Sequence, residues 1–197
     1  MGKAERTRAG IIHQVAEIFN RKGYAGTSLH DLTEKTQLTK GGIYGNFADK
    51  EEVAAEALKY NLSRIAEKIG EEQSLATCDA DRLRAYPNTY RKNYVWILAH
   101  GGCPIANTLT ETDDTNARLH RITLLFVRKW QRNIEALIAT GKQGGEFKQG
   151  ADGAATGRLL LTLISGGVMF AKATNEDSFF ESALAQAEKL ICEITEG

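Results

Sequence analysis

The stretch TEKTQLTKGGIYGNFADKEEV, residues 33–53, holds two adjacent glycines, Gly41 and Gly42, where the flanking residues read as helix. Glycine inside a helix costs about 1 kcal/mol relative to alanine. Accepting it twice in succession, between a lysine and an Ile-Tyr pair, calls for a compensating reason. Thr39 is a natural N-cap for a short helix over 40–47. Upstream, Ser28 and Asp31 have capping-box spacing and open a helix that reaches about Gln37. Before that, Ile11, Ile12, Val15, Ile18 and Phe19 share one face of a first helix over 4–22, which Gly23 stops. Three helices, the second and third joined by the tight link Gln37-Leu38-Thr39, make a helix-turn-helix.

That topology places the third helix in a DNA major groove and supplies the reason for the glycines. Absent side chains let backbone approach phosphates and base edges closely. A helix N-terminus favours phosphate through its exposed N–H groups and dipole. The Thr39 hydroxyl, the Lys40 ammonium and the Tyr44 phenol suit the sugar-phosphate backbone, and Lys50 at the start of the next helix is a further candidate. Charge agrees: residues 1–50 carry eight Lys/Arg against five acids, so this head is +3 in a chain of net charge zero. A basic head on an acidic body is expected where only the head meets a polyanion.

Residues 6–53 closely resemble the N-terminal domain of the TetR/AcrR transcriptional regulators. The matching features are Ala16 and Phe19, Gly23-Tyr24, Thr27-Ser28, and the run TKGGIYGNFADKEEV. Thr33 stands where the family usually has alanine, and Asn46 where it commonly has histidine. The resemblance implies phosphate contacts by Thr27, Thr39, Tyr44 and Lys50, with Lys40, Gly41 and Gly42 approaching bases. Ser28 and Asn46 complete the candidate DNA-facing set. Phe19, Leu32, Leu38, Ile43 and Phe47 are expected to build the small core between the helices.

The fold class expected is all-α, with a DNA-binding domain over 1–48 and a ligand-binding and dimerisation domain over 49–197. Only two prolines punctuate the chain, and no β-branched alternating run occurs. A long helix from Lys50 to about Glu72 is followed by helical text over 79–100, which Pro87 should kink or restart. The irregular segment HGGCPIANT, a long amphipathic helix over 114–140, a glycine-rich connector, and helices over 154–173 and 178–195 complete the chain. The 13-residue apolar run LLLTLISGGVMFA is too short to span a bilayer. Without a signal peptide, and with three cysteines at no metal-like spacing, a cytoplasmic protein with no metal or cofactor is expected.

Tyr86, Tyr90, Tyr94, Trp96, Phe126 and Trp130 concentrate aromatics with polar tips in the middle helices, as small-molecule sites do, although core packing explains such residues equally well. Cys103 joins this candidate pocket: a thiol at a helix N-terminus with His100 nearby could react with electrophiles or oxidants. The segment also resembles a pattern in a TetR subgroup that includes electrophile-sensing repressors; a buried structural cysteine is the alternative. The last two helices are apolar enough to be covered on several sides. The resemblance implies a four-helix interface between two subunits, with Leu160, Ile164, Gly167, Phe180, Leu184 and Ala187 as candidates.

The function expected is a homodimeric repressor that binds palindromic double-stranded DNA and is released by a small-molecule inducer. A DNA-bound regulator without such a ligand is one alternative. A helical thiol enzyme using Cys103 and His100 is the other, but no oxyanion-hole, P-loop or dinucleotide motif accompanies them.

Overall fold

The computed structural model describes residues 2–195, and no strand occurs among them. Ten helices follow in order: α1 (Lys3–Gly26), α2 (Leu29–Thr36), α3 (Lys40–Tyr44), α4 (Lys50–Ser74), α5 (Asp79–Lys92), α6 (Tyr94–Ala99), α7 (Pro104–Thr112), α8 (Ala117–Gln143), α9 (Gly153–Thr174) and α10 (Ser178–Ile194). The chain forms two compact units that do not follow the expected boundary near residue 48. One comprises the chain up to Arg64 together with His100–Thr123; the other comprises Ile65–Ala99 and the chain from Leu124 onward. Both α4 and α8 contribute residues to each unit.

In the first unit, Ile11, Ile12, Val15, Ala16 and Phe19 form the buried stripe of α1. Leu32 and Ile43 are fully buried, and Phe47 nearly so, closing the small core among the first three helices. Each such aliphatic side chain contributes about 1.5–3 kcal/mol by leaving water. Gly23 takes a left-handed φ of 72°, which interrupts α1 where the sequence places its stop. A Cβ there would lie 2.5 Å from the Glu111 carboxylate, so two constraints select glycine at one position.

In the second unit, α9 and α10 pack along a seam of Leu160, Ile164, Val168, Phe180, Leu184, Ala187 and Ile191, all fully buried. At Gly167 a Cβ would sit 2.7 Å from Ala183 Cβ and 3.4 Å from Phe180 Cα. The missing side chain sets how closely these helices approach. The apolar run of the sequence lies in a 22-residue helix, long and apolar enough to cross a membrane by length and composition. Its Leu160–Ile164–Val168–Ala171 stripe is buried within the chain.

The expected break at Pro87 falls elsewhere. Pro87 is buried inside a continuous α5, and the helix ends at Asn93. Proline removes one backbone donor, which buried packing offsets. At Asn93 the side-chain amide and the backbone N–H both donate to the Thr89 carbonyl, at 2.8 and 3.1 Å. Such local bonding competes with continuation of the helix.

Candidate nucleic-acid interface

The three-helix head is held by caps. Ser28 Oγ accepts from Asp31 N–H at 3.1 Å, and the Asp31 carboxylate accepts from Ser28 N–H at 2.8 Å, completing the capping box. Lys22 Nζ adds a 2.6 Å ion pair to Asp31. That bond, followed by the Ser28 donors, holds the Asp31 carboxyl well below the usual carboxylate range. The α2–α3 link turns through Gln37 in the left-handed region, φ 55°. Thr39 Oγ1 then accepts from Gly42 N–H at 3.1 Å, capping α3 as its sequence suggests.

α3 presents Thr39, Lys40 and Gly41 as exposed residues, with Gly42 and Tyr44 half-exposed and Ile43 turned into the core. Neither glycine is required by the chain itself. A Cβ on Gly41 would meet nothing closer than Thr39 Oγ1 at 3.9 Å; on Gly42, Leu38 Cβ at 3.4 Å is an ordinary contact. Their backbone is helical, without positive φ. A helix that forgoes two side chains on an exposed face, with internal room for both, is shaped for something outside the chain.

Three residues of the expected DNA-facing set turn inward instead. Thr27 is fully buried, and its hydroxyl donates to the Gly23 carbonyl at 2.6 Å. Lys50 donates to the Tyr24 and Thr27 carbonyls, both at 2.7 Å, and lies 4.3 Å from the centre of the Tyr24 ring. Asn46 donates its amide to the Gly42 carbonyl at 2.9 Å, and its own carbonyl accepts from Arg8. In this structure these side chains support the reading surface rather than form it. The exposed hydroxyl, ammonium and glycines of 39–42, with Ser28 and Tyr44, remain outward.

Further ties reach the head from parts of the chain that no local pattern would link. The Glu111 carboxylate on α7 accepts from Tyr24 N–H at 3.0 Å and Ala25 N–H at 2.9 Å, clamping the segment that leads into α2. Asn20 donates to the carbonyls of His100 and Gly102, while Asn107 donates to those of Asn20 and Gly101. At the far end of α3, Glu52 accepts from Ala48 N–H at 2.6 Å and pairs with Arg8 at 2.8 Å. Those donors, Ala48 first, lower its pKa against a smaller opposing effect of desolvation. The Arg8 guanidinium also lies 4.2 Å from the Phe47 ring centre. The segment HGGCPIANT, read from sequence as irregular, is thus an anchor of the head.

Two patterns of known proteins match. Residues 11–57 fit the one described as bacterial regulatory proteins, tetR family. Residues 80–187, more than half of the chain, fit the tetracyclin repressor-like C-terminal domain. The chain belongs to the TetR family. A TetR-family regulator from Cytophaga hutchinsonii superposes with a TM-score of 0.95 at 34% identity, covering 100% of this chain and 98% of the other. One from Chloroflexus aurantiacus gives 0.90 at 30% identity, over 99% and 98%. Among curated relatives, the HTH-type transcriptional repressor DhaR of Mycobacterium sp. (strain GP1) is 22% identical over 72% of this chain and 70% of its own length. This TetR-family chain is therefore a DNA-binding transcriptional regulator, and the thiol-enzyme alternative is set aside.

The pocket expected in the TetR-family body is only partly assembled. Tyr86, Phe126 and Trp130 line a cavity of about 70 Å³ in the second unit. Tyr90 is fully buried and stacks on Trp130, with ring centres 6.2 Å apart. Tyr94 lies elsewhere in the unit, stacked on Phe180 at 4.1 Å and donating its hydroxyl to Asp177 at 2.6 Å. Burial first, and Asp177 second, push its phenol up to about 12. Trp96 has the Lys68 ammonium 5.1 Å from its ring centre and does not line the cavity. Cys103 belongs to the first unit, at the N-cap position of α7, and is 1% exposed. Its burial fits the structural alternative better than a reactive thiol. Sequence reading missed Ala66, Ile69 and Gln73 on α4, and Lys129 and Asn133 on α8, which complete the lining. Their three- and four-residue spacing marks a shared helix face, but polar residues in it read as solvated surface.

The residues expected at a subunit interface, Leu160, Ile164, Gly167, Phe180, Leu184 and Ala187, are all buried within one chain. They form the α9–α10 seam. Outside it, the same helices expose Leu159, Met169, Phe170 and Phe179, with Phe170 and Phe179 stacked at 5.5 Å.

Proposed function

We propose that this regulator is a cytoplasmic, homodimeric repressor that reads a palindromic operator with α3 and is released by a small molecule bound in the body. The observation that carries the DNA reading is the exposed Gly41-Gly42 pair, which the chain's own packing does not require. Lys40, Gly41 and Gly42 approach base edges, while Ser28, Thr39 and Tyr44 meet the sugar-phosphate backbone. One such head makes few contacts, so two copies read half-sites whose centres are about 34–36 Å apart. The outward apolar face of Leu159, Met169, Phe170 and Phe179 is the candidate contact between copies, since the seam residues are already used. Release follows a population shift, in which the inducer binds better to the form whose heads are misplaced for successive grooves. Moving the DNA-competent fraction from 99% to 1% takes about 5.5 kcal/mol of differential affinity. Because α4 and α8 are each shared by both units, a change in the body has a backbone route to the head.

The test is binding of the purified protein to fragments of its own upstream DNA, titrated with salt. A steep log–log slope reporting several neutralised phosphates per dimer, together with loss of binding on Tyr44→Ala, supports the assignment. A protein that ignores every duplex at low ionic strength sinks it. A monomeric mass that does not change with concentration, or with Phe170→Glu, sinks the interface.

A further inference from the structure

We propose that the cavity between α4, α5 and α8 in the second unit takes a small planar molecule that carries a hydrogen-bond acceptor and no positive charge, with the Trp130 indole N–H as its donor. This rests on reading that unit as the receptor. Trp130 is 5% exposed, and no protein acceptor lies within hydrogen-bonding reach of its Nε1. Buried donors are nearly always paired, so an orphaned one in a cavity wall marks a place where a ligand acceptor completes the bonding. The indole is held rigidly, stacked on Tyr86 with ring centres 5.3 Å apart and with Phe126 edge-on at 6.4 Å. These ring faces favour a flat, unsaturated occupant.

Aromatic walls also suit cations, so charge must decide between them. No carboxylate lines this cavity, and the single charged residue in its wall is Lys129. Burial pushes the Tyr86 phenol up to about 12, so it stays neutral and offers a cation no counter-charge. Gln73 and Asn133 add amide groups that can donate to a second acceptor on the ligand. At about 70 Å³ the cavity is less than half the size of a cavity of about 150 Å³ that encloses benzene. It therefore admits the acceptor group and the leading edge of one ring, with the remainder lying on the exposed rim of Lys129 and Asn133.

The experiment uses the full chain with Trp96→Phe, which leaves Trp130 as its one tryptophan fluorophore. Three probes are titrated: benzoate, acetophenone and benzyltrimethylammonium. Saturable quenching by benzoate and acetophenone, at concentrations where the cation gives none, is the expected result. In thermal-shift titrations, Trp130→Phe weakens both acceptor probes at least tenfold, while Lys129→Met weakens benzoate and leaves acetophenone within twofold. Preference for the cation, unchanged affinity in Trp130→Phe, or failure of both acceptor probes overturns the inference. Operator binding by the same preparation is measured separately. Intact DNA binding with no probe binding removes this ligand chemistry alone; probe binding without DNA binding removes the regulator reading alone.

Discussion

Gly41 and Gly167 are the same residue in helices of the same chain, and they are glycine for opposite reasons. A Cβ at Gly41 would find open space, with its nearest neighbour 3.9 Å away; at Gly167 it would collide with Ala183 at 2.7 Å. The head gives up a side chain on its surface, at a cost in helix stability, and gains nothing inside the molecule. The body gives one up in its seam and gains close packing of α9 on α10. Glycine in a helix therefore has two readings, and the space around the absent Cβ separates them: crowding marks architecture, and emptiness marks an external partner.

The largest test of this contrast is Gly167→Val. Overpacking a closed helix seam costs about 1–3 kcal/mol, and a branched side chain facing backbone at 3.4 Å belongs at the upper end. Urea unfolding should show a loss of about 3 kcal/mol. Gly167→Ala should cost less, and adding Ala183→Gly should restore most of that loss. No rescue would mean that the seam is not what selects this glycine.

Next comes Lys50→Met, which asks whether the ammonium supports the head or touches DNA. Its two 2.7 Å bonds to carbonyls hold the turn before α2. Losing them should destabilise the protein by about 2 kcal/mol, in the range for hydrogen bonds to charged groups. The salt slope of DNA binding should stay unchanged. A phosphate contact would instead reduce that slope by about 0.9 for each lysine lost.

Gly41→Ala is smaller in energy and opposite in sign for the two properties. Stability should rise by about 0.5–1 kcal/mol, because alanine is the better helix former and has room. Operator affinity should fall about tenfold or more, since a methyl group then stands between backbone and base edge, where a good contact is worth about 1–3 kcal/mol. Equal or tighter DNA binding with raised stability would show that this face meets no duplex.

Much of this was legible from sequence because its causes are local. The caps at Ser28 and Thr39, the stripe of α1 and the stop at Gly23 depend on residues within one or two turns, and each is found where expected. The misplacements all involve distance or direction. Lys50 and Thr27 were expected to face DNA, but a lysine stem can reach two carbonyls as readily as a phosphate, and only the folded turn decides. The α9 run is apolar on nearly every side, so periodicity cannot tell the seam with α10 from the outer face. Glu111 lies 87 positions from the amide of Tyr24 that it holds, and no window of sequence contains both. Cys103 looked like a pocket residue because it lies between Trp96 and Phe126 in order, yet it folds into the other unit.

The mildest prediction concerns how the head is held, by charge and caps rather than by a crowded seam. The Asp31 carboxyl is depressed by Lys22 and by the Ser28 donors, so it binds its proton less readily folded than unfolded. Its contribution is therefore complete above the unfolded carboxylate pKa of about 3.9, and it is lost as pH falls below that value toward the lower folded one. Asp31→Asn keeps an acceptor for the Ser28 N–H but removes the charge. The variant should be slightly less stable than the parent at pH 7, and the two urea midpoints should converge between pH 4 and the lowest pH at which the protein stays folded. Because the pair with Lys22 is at the surface, 0.5 M salt should narrow the pH 7 difference as well, by roughly the factor that screening at that ionic strength implies. The α9–α10 seam contains no ion pair among the described residues, so a seam variant such as Gly167→Ala should show neither convergence with pH nor narrowing with salt. Parallel behaviour of the two variants would mean that head and seam are stabilised by the same kind of interaction, and the contrast between their glycines would lose its physical basis.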